Sequence, residues 1–114
     1  MPPEIRKFLF DVPQACEHIE TFVRDRSLEN YQDDNLLRSG VERQLMIVGE
    51  ALHQAYKIDP SLEKHVSQLR QIINFRHVIV HAYGIVEDET VWGIVQTHLP
   101  IVRDEVRARL QAEG

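Results

Sequence analysis

Apolar residues recur every three or four positions along most of this chain, and four stretches with that spacing predict amphipathic helices. The first carries Ile5, Phe8, Leu9, Val12, Cys16, Ile19, Phe22 and Val23. Pro13 falls inside it, and two readings fit. Asp11 followed by Gln14 resembles a capping box with proline in the first turn, which would restart the helix at Asp11. Alternatively, one helix bends at Pro13. Ser27 to Asn35 is polar and aperiodic, and reads as a loop ending in an Asp/Asn cap.

A second helix is predicted from about Asn35 to Lys57, with Leu37, Val41, Leu45, Val48, Leu52 and Ala55 or Tyr56 facing inward. Gly40 and Gly49 each weaken a helix by about 1 kcal/mol relative to alanine, so their use is close approach of a neighbouring helix. Asp59-Pro60 breaks and restarts the chain, with Asp as cap and Pro in the first turn. The third helix then carries Leu62, Val66, Leu69, Ile72, Ile73, Val78 and Ile79, and Gly84 ends it just beyond Tyr83. Glu87-Asp88-Glu89-Thr90 is an acidic start signal for a last helix with Val91, Val95, Leu99, Val102, Val106 and Leu110. Pro100 bends or interrupts that helix. Arg103, Arg107 and Arg109 lie in its final turns, where the helix dipole favours cations. No useful strand-like alternation and no internal repeat appears. The pattern predicts an all-α, up-and-down bundle of four to five helices forming one domain over residues 1–114.

Four long helices from 114 residues make a thin bundle. Phe10, Leu36, Met46, Ile47 and Trp92 add apolar surface beyond one stripe per helix, which predicts a homodimer packed through helices. The composition, 43% hydrophobic and 27% charged, is that of an ordinary globular chain. No apolar run approaches the roughly 20 residues that cross a bilayer, so no membrane role is expected. The start, Met1-Pro2-Pro3-Glu4, lacks the layout of a signal peptide. A single cysteine, Cys16, excludes an internal disulfide and a cysteine zinc cluster and fits a reducing cytoplasm. Cys16 itself reads as packing. A net charge of −5 argues against generalised binding to nucleic acid, so any contact with RNA needs a concentrated basic site.

Such a site is suggested by Asn74-Phe75-Arg76-His77-Val78-Ile79-Val80-His81-Ala82-Tyr83, which sets an arginine, two histidines and a tyrosine into an apolar run. A permanent cation, proton-transfer groups and a phenol together suit chemistry on a phosphate. Five positions separate Arg76 from His81, roughly 140° on a regular helix, so one regular helix does not bring them together. Arg76 and Tyr83 lie on nearly one side, as do His77 and His81. A compact site with Arg76 and His81 needs an irregular helix end or a second chain. Blander readings compete. His81 fits a buried, hydrogen-bonded core histidine, Arg76 an ion pair with Glu50 or Glu42, and Tyr83 a packed helix-end residue. Glu50 is either a surface residue or the group that fixes Arg76 or His81 across helices. Tyr56 and Trp92 read as core. His77 and His81 also have the spacing of a helical metal pair, but no spacing selects a third ligand among His53, Glu50 and His65, and no metal is assigned.

The spacing Arg76-x4-His81-x-Tyr83 resembles the signature of HepT-like toxins in the HEPN superfamily. Val41-Glu42 through Ile47-Val48-Gly49-Glu50-Ala51 is similar to the family's segment on the preceding helix. Val86-Glu87-Asp88 leading to Val91-Trp92, and then Leu99-Pro100, also have counterparts, in order, over nearly the whole chain. The resemblance implies a homodimeric, all-α endoribonuclease toxin that needs no metal or other cofactor, with Arg76 and His81 catalytic. It implies a minimal nucleotidyltransferase antitoxin as partner, which silences the toxin by moving AMP from ATP to Tyr83. Arg76 would hold the scissile phosphate, and His81 would exchange a proton with the 2′-hydroxyl or the leaving oxygen. The family usually has asparagine after the arginine. His77 stands there instead, as a supporting group or second acid/base alongside Glu50. The rival from another class is a non-catalytic module that docks the nucleotidyltransferase and is modified by it.

Overall fold

The computed structural model describes residues 1–112, apart from the side chain of Tyr83. The chain folds as α1 (Pro3–Val23), α2 (Leu28–Asp33), α3 (Asn35–Ile58), α4 (Leu69–His81), α5 (Asp88–Gly93) and α6 (Leu99–Ala112), with no strand among the described residues. Short 3-10 turns cover Pro60–Lys64 and Tyr83–Ile85, and a π turn over Ile94–His98 fuses α5 to α6.

α1 is one helix through Pro13, which settles the choice between a restart and a single element. Proline there removes the hydrogen bond its absent N–H would have given to the Leu9 carbonyl, and its ring crowds that carbonyl. Val12, Cys16 and Ile19 around it are fully buried, and that burial holds the helix together. The expected loop from Ser27 to Asn35 instead contains α2. Its capping box is reciprocal: Asn30 N–H donates to Ser27 Oγ at 3.1 Å, and Ser27 N–H donates to Asn30 Oδ1 at 3.0 Å. One apolar residue, Tyr31, is fully buried from this helix and packs on Trp92 with ring centroids 5.6 Å apart. Asp34 caps α3, its Oδ1 accepting the Leu37 N–H at 3.0 Å, so the expected Asp/Asn cap is present.

α3 buries Leu37, Val41, Leu45, Val48, Leu52 and Ala55, the inward face expected from its spacing. The third helix begins later than its periodicity implies, at Leu69 instead of Pro60. Asp59 does cap a turn there, accepting from Ser61 N–H at 3.0 Å and Ser61 Oγ–H at 2.6 Å, but the turn is 3-10. Leu62 and Val66 still reach the core. The Ser67 N–H and hydroxyl donate to the Glu105 carboxylate of α6 at 3.0 to 3.2 Å, so that N–H is not available to a helical carbonyl.

Pro100 interrupts the last helix by widening it. Leu99 N–H donates to the Ile94 carbonyl five residues back, and this π turn accommodates a proline ring that a tight turn would press against the Gln96 carbonyl. The packing order is antiparallel throughout. Phe22 and His18 of α1 meet Gly40 and Gln44 of α3; Gly49 and Tyr56 of α3 meet Arg76 and Arg70 of α4. Glu17 and Glu20 of α1 pair with Arg107 and Arg103 of α6. Numbers fall along one helix as they rise along its neighbour, which makes this an up-and-down bundle as expected. Arg103 and Arg107 were expected to serve the helix dipole; they pair with the α1 carboxylates and with Asp104 of α6 itself.

Phe10 and Leu36 are exposed, at 65% and 84%, and are joined by Phe22, Ile58, Ile85 and Ile101. Met46, Ile47 and Trp92 do not belong to that surplus, because they pack half-buried against the core. Among the described residues no helix is long and apolar enough to cross a membrane.

Candidate active site

Arg76 sits in close contact with Gly49 at the crossing of α3 and α4. A Cβ at Gly49 would overlap the Arg76 Cβ and stand 2.8 Å from its Cγ and 3.3 Å from the Ile72 carbonyl oxygen. Glycine therefore serves close approach here, as its position in the helix led us to expect. The stem of Arg76 lies in the notch that glycine leaves, and its Nη2 pairs with Glu50 Oε2 at 2.9 Å, one residue further along α3. Gln54 Nε2 donates to the other Glu50 oxygen at 2.7 Å and fixes the carboxylate. The Arg76 Nε–H is buried with no partner among the described residues. Of the two carboxylates weighed as partners for Arg76, Glu50 is the one in contact.

Arg76 forms a wall shared by two open clefts. The larger, about 490 Å³, runs between α3 and α4 and is lined by His53, Tyr56 and Lys57 of α3, Pro60, and Arg70, Ile73, Asn74 and His77 of α4. Its lining holds three cationic side chains and two histidines but no carboxylate. Two of those cations are paired with carboxylates outside the lining, Arg76 with Glu50 and Arg70 with Glu63, which leaves Lys57 as the lining cation without an ion pair among the described residues. The smaller cleft, about 330 Å³, lies on the other side of Arg76 toward α1, with Arg43, Asp11 and Glu50 in its lining.

His77 is exposed in the larger cleft, next to Arg76. Its ring meets that of His81 one turn on, centroids 4.4 Å apart and planes inclined by 47°. His81 is exposed at the last turn of α4, so the core-histidine reading does not hold for it. α4 is helical through His81, and the Ala82 N–H still donates to the Val78 carbonyl at 2.8 Å. The irregular helix end that would swing His81 toward Arg76 is therefore absent, and the two project from different sides of one chain's helix. Tyr83 opens the turn after α4, and its side chain lies outside the described residues.

Two residues that line the cleft, Arg70 and Lys57, escaped the motif-centred reading. Arg70, Asn74, His77 and His81, spaced four, three and four apart, form one polar stripe along α4, and His53 and Lys57 repeat the spacing on α3. Tyr56 belongs to this cleft, where Arg70 lies 6.0 Å from its ring centroid and Arg70 Nη2 donates to its hydroxyl at 3.3 Å. Arg70 itself is held by a two-pronged contact with Glu63, at 2.6 and 3.1 Å. Among the described residues no three His, Cys, Asp or Glu side chains converge in an arrangement that could hold a metal ion. Cys16 is buried in α1, and burial pushes its thiol up to about 12, which fits a packing role.

The family description of ribonuclease HepT-like proteins matches residues 12–109. A Caldanaerobacter subterraneus protein named "Putative RNase TTE0752" is 28% identical over 95% of this chain and 96% of its own length. "Probable ribonuclease HepT" of Thermococcus cleftensis is 28% identical over 86% of this chain and 88% of its own. "Putative RNase MJ1380" of Methanocaldococcus jannaschii is 24% identical over 90% and 94%. No solved structure matches the chain significantly. With a family match spanning α1 to α6 and relatives of matching length named as ribonucleases, the chain belongs to the HepT-like ribonuclease family of the HEPN superfamily.

Proposed function

We propose that the chain acts as one domain in a homodimeric, metal-independent endoribonuclease, the toxin of a cytoplasmic toxin–antitoxin pair. The observation that carries the reading is Arg76, seated against Gly49 on the rim of a cleft whose lining is cationic in an otherwise acidic protein. The reaction needs a nucleophile, a proton acceptor and charge stabilisation. The RNA 2′-hydroxyl attacks the adjacent phosphorus and His81 takes its proton. Arg76 leaves Glu50 and binds the phosphate oxygens as negative charge builds on them. The bond to the 5′-oxygen breaks, that oxygen takes a proton from water, His81 returns its own to solvent, and the products are a 2′,3′-cyclic phosphate and a 5′-hydroxyl. Because Arg76 and His81 project from different sides of α4, the His81 that serves one Arg76 comes from a second chain. The exposed Phe10, Leu36 and Ile85 supply apolar surface that such a dimer can cover.

In this reading a nucleotidyltransferase antitoxin transfers AMP from ATP to Tyr83. The added phosphate brings bulk and negative charge close to the motif and repels RNA. His77, in the position the family usually gives to asparagine, supports Arg76 from inside the cleft.

The test is RNA cleavage by the purified protein and its Arg76→Ala and His81→Ala variants, with helicity followed by circular dichroism. Both variants should lose cleavage and keep the fold. Undiminished cleavage by His81→Ala removes that residue from the mechanism. One observation favours the second reading, a docking module without activity: Glu50 already occupies the Arg76 guanidinium at 2.9 Å. In that case the unmodified protein leaves RNA intact, yet Tyr83 still gains AMP when the partner and ATP are supplied.

A further inference from the structure

The cleft between α3 and α4 extends well beyond Arg76. Six residues, about 9 Å of helix at 1.5 Å per residue, separate Arg76 from Arg70. That stretch contains three kinds of group that a single-stranded nucleotide engages. Lys57 is exposed on α3, has no ion-pair partner among the described residues, and offers an ammonium to a phosphate. Tyr56 and Arg70 offer an aromatic ring and a guanidinium plane, with Arg70 Cζ over the ring at 6.0 Å from its centroid. The guanidinium, planar in itself, is held in place by Glu63 at 2.6 and 3.1 Å and by the Tyr56 hydroxyl at 3.3 Å. Glu63 balances the Arg70 charge, so Arg70 serves here as a stacking plane and Lys57 supplies the electrostatics. Nucleobases stack on tyrosine rings and on arginine planes alike. Asn74 lines the same cleft between Arg70 and Arg76, with an amide able both to donate to and to accept from a base edge. The cleft, at about 490 Å³, lies within the roughly 300–1,000 Å³ usual for small-ligand sites.

We propose that this cleft is a subsite for the RNA nucleotide next to the scissile phosphate: Lys57 takes the flanking phosphate, Tyr56 and Arg70 stack the base, and Asn74 reads its edge. The assignment rests on the ribonuclease reading above for the identity of its ligand. It also predicts base preference on one side of the cut, set by Asn74.

The test is binding of a short, mixed-sequence, single-stranded 2′-O-methyl oligoribonucleotide, which lacks the attacking hydroxyl, measured by fluorescence anisotropy over a range of salt. Lys57→Ala should weaken binding about fivefold and flatten the logarithmic salt dependence by about 0.7, the single-strand value for one phosphate contact. Tyr56→Leu, which keeps an apolar side chain, should weaken it about tenfold. Wild-type affinity and salt slope in both variants would overturn the subsite, as would failure of the unsubstituted protein to bind the oligonucleotide. Equal affinity for free adenosine monophosphate and for the oligonucleotide would also overturn it, because the site would then hold a mononucleotide and not a chain. Cleavage of unmodified RNA is scored separately. Cleavage by wild type with normal binding by both variants removes the subsite and leaves the ribonuclease reading. Reduced binding by the variants without any wild-type cleavage keeps the subsite and removes the nuclease.

Discussion

Gly49 and Arg76 are in van der Waals contact across the α3–α4 crossing, so closely that a methyl group on the glycine would occupy the space of the Arg76 Cβ. The bundle's tightest described glycine contact and its best candidate for a phosphate-binding cation are thus the same place. Gly49→Ala restores about 1 kcal/mol of helix propensity but overpacks the crossing by about 1–3 kcal/mol. Because the obstruction is the rigid start of a side chain and a helix carbonyl, overpacking wins. The expected outcome is a lower urea midpoint with an unchanged slope, and a loss of RNA cleavage larger than the loss of folded protein explains.

In the proposed reaction Glu50 competes with phosphate for Arg76. The Glu50 side chain is 42% exposed, so the pair is a weak source of stability. Glu50→Gln should therefore leave thermal unfolding nearly unchanged and tighten binding of the uncleavable oligonucleotide by up to about fivefold, the equivalent of about 1 kcal/mol. Weaker binding would mean instead that the carboxylate positions the guanidinium.

Glu42 is a destabilising charge. Burial, then the neighbouring Asp88, raises its carboxyl above the ordinary value, with Arg38 opposing. A carboxyl raised on folding is ionised at neutral pH at a cost to the folded state. Stability attributable to it falls as pH climbs from its unfolded to its folded value. Glu42→Gln should raise the melting temperature at pH 7 and make no difference at pH 3.5, where both states are protonated.

Cys16 and Tyr31 are expected to make stability fall at alkaline pH. Burial raises the Cys16 thiol from 9.0 to about 12 and also pushes the Tyr31 phenol up. Above pH 9 the unfolded chain releases the cysteine proton while the folded chain keeps it, so stability declines as pH rises. Cys16→Ala leaves a small cavity and lowers stability at pH 7, but its urea midpoint should fall less steeply between pH 9 and 10.5. An identical slope would show that Cys16 does not contribute.

The helices that bury a continuous stripe were legible because burial imposes the period. The apolar residues of α1 and α3, from Leu9 to Ile19 and from Leu37 to Ala55, lie where the spacing places them. α2 was not legible, since it buries only Tyr31 and a single residue has no period. The late start of α4 was hidden because Leu62 and Val66 keep a four-residue spacing while the chain turns, and the cause, Glu105 on Ser67, lies 38 residues away. The same holds for the site. Arg76 and His81 stand out as a local motif, whereas Lys57 and Tyr56 join Arg70 and Asn74 only through the antiparallel crossing of two helices.

The π turn over Ile94–His98 has a consequence for how this helix tolerates length change. It holds one residue more than regular winding would, and the widened turn absorbs the roughly 100° that this residue would otherwise add to everything after it. Val91 reaches the core before the turn, Val95 within it, and Leu99, Val102 and Val106 after it. A one-residue deletion inside the turn therefore leaves Arg103 and Arg107 opposite Glu20 and Glu17, and Glu105 on the turn that leads into α4. The same deletion past the turn, where the winding has no slack, rotates all three away. What the slack makes room for is the ring of Pro100.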